Sequence, residues 1–223
     1  RSRVSPGSFF VSGTFCSANL LGMKEHANRT FRVSTAAFVL FSVIAGAGLT
    51  HGIDLWMIQI AQTNPSATLD DFGKFVSFLG DIEVISAAFL VLCAALFFSD
   101  RRVLAVRLVI AYVAAGLLEL TMKFFLPVPP IPDEVGRTTD PSPIIEIAYP
   151  YPYPSGHMLR SAFLLGVIFV LWPNGMARTA ILVFLAFVAA SRIYLGVHWP
   201  SDLIGGALLA MAGIAWAFRS KKT

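Results

Sequence analysis

Residues 191–202, SRIYLGVHWPSD, join two apolar runs and load the junction with Arg192, His198 and Asp202. Upstream, residues 180–197 are largely apolar, and residues 203–218 are apolar again with many small side chains. A helical crossing needs about 20 predominantly apolar residues, so the stretch reads as the turn of a membrane hairpin. Pro200 suits the first position of a helix, where its missing N–H costs nothing. Asp202 then falls in the first turn of the second span and can reach back to one nitrogen of His198. That contact would fix the imidazole tautomer and leave the other nitrogen as a nucleophile. A His and an Asp four apart can equally be a structural pair. Arg192 lies inside the first span near its end, where a guanidinium is expensive unless paired or hydrated. Snorkelling to the nearby interface is the plainer reading of that arginine.

The whole chain carries the same signature. Of its 223 residues 56% are hydrophobic and 13% charged, against about 25% charged in a soluble domain, and the mean hydropathy is +0.71. An ordinary soluble domain is excluded. Further spans are expected at residues 33–53, 72–98, 103–125 and 156–172, giving an all-α bundle of six crossings. Residues 54–71, DLWMIQIAQTNPSATLDD, read as a loop leaving the membrane, with Asn-Pro and paired Asp as turn signals. Lys74, Asp81 and Glu83 mark a short interfacial piece before the second span. His51 reads as capping the outer end of span one, and Arg107 as snorkelling inward.

The basic segments are Lys24 to Arg32, SDRRVLAVR (residues 99–107), PNGMAR (173–178) and the terminal RSKKT (219–223), and by alternation all fall on one side. The positive-inside rule makes that side cytoplasmic, with both termini inside. It also accounts for the net charge of +4 without a nucleic-acid partner. Residues 1–22 are Ser- and Gly-rich without the apolar core of a secretory signal, and MKEHANRTFR from Met23 has the pattern of a cytoplasmic leader. Residues 1–30 are therefore expected to be a flexible leader and 31–219 the membrane domain. Cys16 and Cys93 fit neither a disulfide framework nor a zinc cluster.

The opposite face receives the turn at residues 196–202 and a long Pro-rich loop ending in YPYPSGHMLRSAF (151–163). Ser155 is a natural N-cap, with a helix expected to start at Gly156. Unpaired N–H groups at such a start, with glycine permitting close approach, make a seat for phosphate, and His157 stands beside it. An isolated PSGH would equally be an ordinary cap. Glu119 and Lys123, four apart, could likewise be only a helix salt bridge. Trp199, Tyr149, Tyr151 and Tyr153 read as an interfacial belt or as the lining of a lipid entry.

Taken jointly, P-S-G-H followed by S-R-x5-H-x3-D, both aimed at one face, resembles the type 2 phosphatidic acid phosphatase superfamily, membrane lipid phosphatases related to vanadium haloperoxidases. The resemblance implies a six-helix core. It implies His198 as nucleophile through a phosphohistidine, Asp202 as its orienting partner, and His157 as acid and then base. It further implies Lys123, Ser155, Gly156 and Arg192 as phosphate ligands, no metal or cofactor, and inhibition by vanadate. The substrate would be a lipid phosphate monoester or diphosphate, of the phosphatidate, phosphatidylglycerol phosphate or undecaprenyl diphosphate type. Catalysis would take place at the outer face of what is expected to be a bacterial inner membrane. One departure stands out: the family's K-x6-R-P pattern meets KFFLPVPPI here, with Pro130 where arginine is expected. Arg160, one turn after His157, is the expected substitute, and Arg137 in the loop a weaker one. The alternatives are a lipid phosphotransferase with the same nucleophile and a non-catalytic lipid transporter or scramblase.

Overall fold

A computed structural model describes residues 17–137 and 148–219, with side chains from residue 26 onward. Residues 1–16 of the expected leader, 138–147 of the long loop and the end of the basic tail lie outside the described residues. The described chain is all-helical: α1 (Ser17–Gly46), α2 (His51–Ala61), α3 (Ala67–Leu79), α4 (Ile82–Phe98), α5 (Arg102–Phe125), a 3-10 turn at Asp133–Val135, α6 (Gly156–Leu171), α7 (Gly175–Tyr194) and α8 (Pro200–Phe218). α1 begins inside the stretch expected to be leader.

α8 is the axis. It packs against α1, α5 and α6, and its small residues let those neighbours approach closely. A Cβ on Gly213 would come within 2.7 Å of the Phe163 ring, and Gly205 and Gly206 lie against Tyr153 and the Ser155 carbonyl. Large apolar side chains on the outer faces, among them Leu40, Val43, Val103, Leu117 and Leu182, stay exposed. That is the distribution expected where hydrocarbon, not water, is the solvent.

Five segments are long and apolar enough to cross a membrane: residues 26–46, 67–98, 102–125, 175–194 and 200–218. α6 is apolar but has only 16 residues, about 24 Å of helix. It sits between α4, α7 and α8.

Three expectations need correction. The first span stops at Gly46, because the chain turns through Gly48 in the left-handed region at φ 73°. Residues 54–71 are not a loop: they hold most of α2 and the start of α3. Asp54, at the start of that stretch, is buried, and both its oxygens accept from Ser201, the backbone N–H at 2.9 Å and the hydroxyl at 2.7 Å. Trp199 and Tyr153 form no interfacial belt. Both are buried, the indole donating to the Pro129 carbonyl at 2.7 Å and the phenol bonded to Ser42 Oγ at 2.9 Å. Accordingly His51 opens α2 and packs edge-on to Trp199, ring centres 5.2 Å apart.

Candidate active site

Four helix ends and one helix break meet at the same end of the bundle. α6 starts where expected: Ser155 caps it, its hydroxyl accepting from the Met158 N–H at 3.4 Å. The Ser155 N–H donates to the Asp202 carbonyl at 2.9 Å, tying the start of α6 to the start of α8. The Tyr151 N–H donates to the Lys123 carbonyl at 3.2 Å, adding the end of α5. α7 contributes Arg192 from its last turn.

His198 stands in the turn before α8, buried, with Nδ1 3.1 Å from Asp202 Oδ2. The same oxygen accepts the Trp199 N–H at 2.9 Å, so one carboxylate caps α8 and orients the imidazole. A donor at Nδ1 toward Asp202 leaves Nε2 with the lone pair. Burial holds the proton affinity of His198 well below the ordinary histidine range, and the positive charges of Arg192, Lys123, His157 and Arg160 push it further the same way. The ring is neutral at neutral pH, which a nucleophilic nitrogen requires.

Each of those four groups is held by a partner. The Lys123 ammonium is 3.1 Å from Glu119 Oε1 and 4.0 Å from the centre of the Tyr149 ring. Arg160 donates to the other oxygen of Glu119 at 3.0 Å. Arg192, fully buried, donates to the Ser77 hydroxyl at the end of α3. His157 Nε2 lies 2.9 Å from Asp81 Oδ1, in the break between α3 and α4. At Gly156 a Cβ would collide with Glu119 and the Arg160 guanidinium, so only glycine lets the α6 backbone lie against that pair.

All eight residues expected at the site, His157, His198, Asp202, Lys123, Ser155, Gly156, Arg192 and Arg160, are therefore at this end, with Arg160 turned toward Glu119 on α5. Arg137 is elsewhere: it clasps Asp70 at 2.7 and 2.8 Å and lies over the Tyr194 ring. Sequence reasoning missed the roles of Ser77, Asp81 and Asp54. For the two aspartates a signal was present, since an acidic residue in an apolar run demands a partner; Ser77 carried none. A cavity of about 620 Å³ opens beside the cluster, lined by Pro130, Tyr149, Tyr151, Arg137, Gly196 and Val197; its lining stops one residue short of His198. These side chains can bind an anion, present a neutral nucleophile and hold a transferable proton.

The PAP2 superfamily model matches residues 104–223. The chain is similar to the putative undecaprenyl-diphosphatase YbjG of Escherichia coli K12, 38% identical over 61 residues; that match takes in 27% of this chain and only 30% of the relative. A broader likeness, 29% over 180 residues, links it to the undecaprenyl-diphosphatase of Sulfolobus acidocaldarius, covering 77% of this chain and 82% of that one. Among solved structures, the PAP2-type phosphatidylglycerolphosphate phosphatase of Bacillus subtilis shares the fold. Its TM-score is 0.60 at 20% identity, over 80% of this chain and 91% of the other.

Proposed function

The chain belongs to the PAP2 superfamily, and from that membership we propose that it hydrolyses a phosphate monoester or diphosphate of a membrane lipid through a phosphohistidine. His198 Nε2 attacks phosphorus while His157 protonates the departing oxygen. In the second half-reaction His157 takes a proton from water, the water oxygen bonds to phosphorus, and the P–N bond breaks to release phosphate and restore neutral His198. Asp202 keeps the tautomer and balances the imidazolium that forms. Lys123, Arg192, the Ser155 hydroxyl and the Gly156 N–H hold the equatorial oxygens, where charge stabilisation matters most in phosphoryl transfer. Arg160, anchored by the same carboxylate as Lys123, stands in for the arginine that Pro130 displaces.

The placement goes with this reading. Six crossings, with α6 as the short inner one and both termini cytoplasmic, put the site at the outer face. The favoured substrate is a polyprenyl diphosphate, because the relative aligned over most of both chains is an undecaprenyl-diphosphatase; phosphatidylglycerol phosphate and phosphatidate belong to the same class.

The observation that carries the proposal is a buried His198 oriented by Asp202, with Lys123, Arg160 and Arg192 at the same end of the bundle. The test is phosphate release from a panel of lipid phosphates by purified protein. His198→Ala should lower turnover by about 10³-fold or more, as losing a nucleophile does. Release that survives the substitution removes the nucleophile assignment, and absence of release by wild type on every lipid favours transport.

A further inference from the structure

We propose that Asp81 is the positioning residue for His157, holding its ring in place and keeping it protonated until the leaving oxygen takes the proton. The inference rests on the reading of His157 as acid and base. It starts from a local oddity: Asp81 is the N-cap of α4 with extended backbone at φ −62°, ψ 151°, yet its side chain makes no capping bond. An N-cap aspartate ordinarily accepts from the N–H groups of its own first turn. Ser66, Ser155 and Asn174 do so at the starts of α3, α6 and α7. Asp81 instead puts Oδ1 2.9 Å from His157 Nε2, across 76 residues of sequence.

The backbone beside it is fitted to the same ring. A Cβ on Gly80 would stand 3.1 Å from His157 Cδ2 and 3.5 Å from Ser161 Oγ, so a side chain there would press on the imidazole. One turn earlier Ser77 accepts from Arg192. The end of α3 and its break from α4 therefore hold two groups of the site at once, a reason for a 67–98 segment long enough to cross as one helix to be interrupted there.

A carboxylate at hydrogen-bond distance favours the charged imidazolium and fixes the ring's rotamer. During the reaction Asp81 stays ionised. The proton leaves the ring for the departing oxygen as the P–O bond breaks, and returns from water in the second half-reaction. Other charged or titratable groups on the elements packed around α6 are Glu83 on α4, Tyr112, Glu119 and Lys123 on α5, Arg160 on α6 itself, Arg192 and Tyr194 on α7, His198 in the turn and Asp202 on α8, with Cys93, Arg102, Arg107 and Arg178 toward the other end of the bundle. None of them changes when Asp81 is replaced, so a moved pH limit reports the lost carboxylate.

The experiment compares wild type, Asp81→Asn, Asp81→Glu and His157→Ala on an alkyl lipid phosphate and on p-nitrophenyl phosphate, whose leaving group needs little protonation. For Asp81→Asn, kcat on the alkyl ester should fall about 10- to 100-fold with KM within about threefold, and the nitrophenyl ester should lose less than about fivefold. The alkaline limit of kcat should move down by about one pH unit or more, and Asp81→Glu, which keeps the charge, should recover part of the rate. An unchanged rate and pH limit in folded Asp81→Asn overturns the proposal. So does an equal loss on both substrates with the pH limit fixed, the mark of a structural role. If Asp81→Asn does not fold, Asp81→Glu decides: a loss larger on the alkyl ester than on the nitrophenyl ester, with a shifted alkaline limit, supports the role, and an equal loss on both with the limit fixed overturns it. His157→Ala with wild-type turnover overturns the acid assignment itself, a result separate from failure at Asp81.

Discussion

Glu119 carries two cations, Lys123 on one oxygen and Arg160 on the other, all in or near the wall between α5 and α6. A buried carboxylate is stable only when both oxygens are served, so neither cation can be removed without loosening the other. This ties Arg160 to Lys123 through one carboxylate, which is the geometry behind the proposal that Arg160 stands in for the arginine absent at Pro130. The reach is short because Gly156, where α6 begins, has no side chain in the way. Arg160→Ala should lower kcat/KM about 10- to 100-fold, the loss of one charge-assisted contact to the transition state, roughly 1.4–2.8 kcal/mol. Steady-state kinetics on the preferred lipid phosphate checks it, and unchanged turnover would leave Pro130 uncompensated. Lys123→Ala should weaken the same step and also release Tyr149, whose ring it faces at 4.0 Å.

Helices matter here mainly through their ends. α8 begins with Pro200, Ser201 and Asp202, and three separate contacts fix that turn: Trp199 N–H on Asp202, Ser155 N–H on the Asp202 carbonyl, and Ser201 on Asp54 of α2. α2 thereby acts as a latch on the turn that bears His198. Asp54→Ala leaves the buried Ser201 N–H and hydroxyl without their acceptor, a loss of about 1–3 kcal/mol per group. The expected result is a lower apparent melting temperature in detergent together with a several-fold lower kcat; wild-type values for both would remove α2 from the support of the site. The starts of α6 and α8 were legible in the sequence because their signals are local: a capping serine, a proline at the first position, a His and an Asp one turn apart. α2 was not, because Asp54 and the Asn-Pro that follows look like solvent-facing loop chemistry until Ser201, 147 residues away, is seen to satisfy the carboxylate. Asp81 escaped for the same reason. A charge inside an apolar run announces that it has a partner but not which one.

At the scale of the molecule, the basic residues of the segments that join or flank the spans occupy the end opposite the site. Arg107, near the start of α5, donates to the Trp216 carbonyl near the end of α8 at 2.9 Å, and Arg219 lies over the Phe31 ring of α1 at 4.7 Å. The early part of α1, the start of α5 and the end of α8 therefore share one end. The site is built from the complementary set: the end of α5, the starts of α6 and α8, the end of α7 and the α3–α4 break. Chain alternation places Arg101, Arg102 and Arg178 at the first of these ends, and positive residues are retained on the cytoplasmic side of a membrane. On the proposed orientation the cluster around His198 faces outward, toward the headgroups of the outer leaflet. Accessibility tests this directly. In a background with Cys16 and Cys93 replaced by serine, a cysteine at Glu134, in the exposed 3-10 turn over the site, should react with a membrane-impermeant maleimide on intact cells. One at Met176, 82% exposed at the start of α7, should react only after permeabilisation. The reverse pattern would turn the bundle over, place hydrolysis on the cytoplasmic leaflet and force a different account of the basic end.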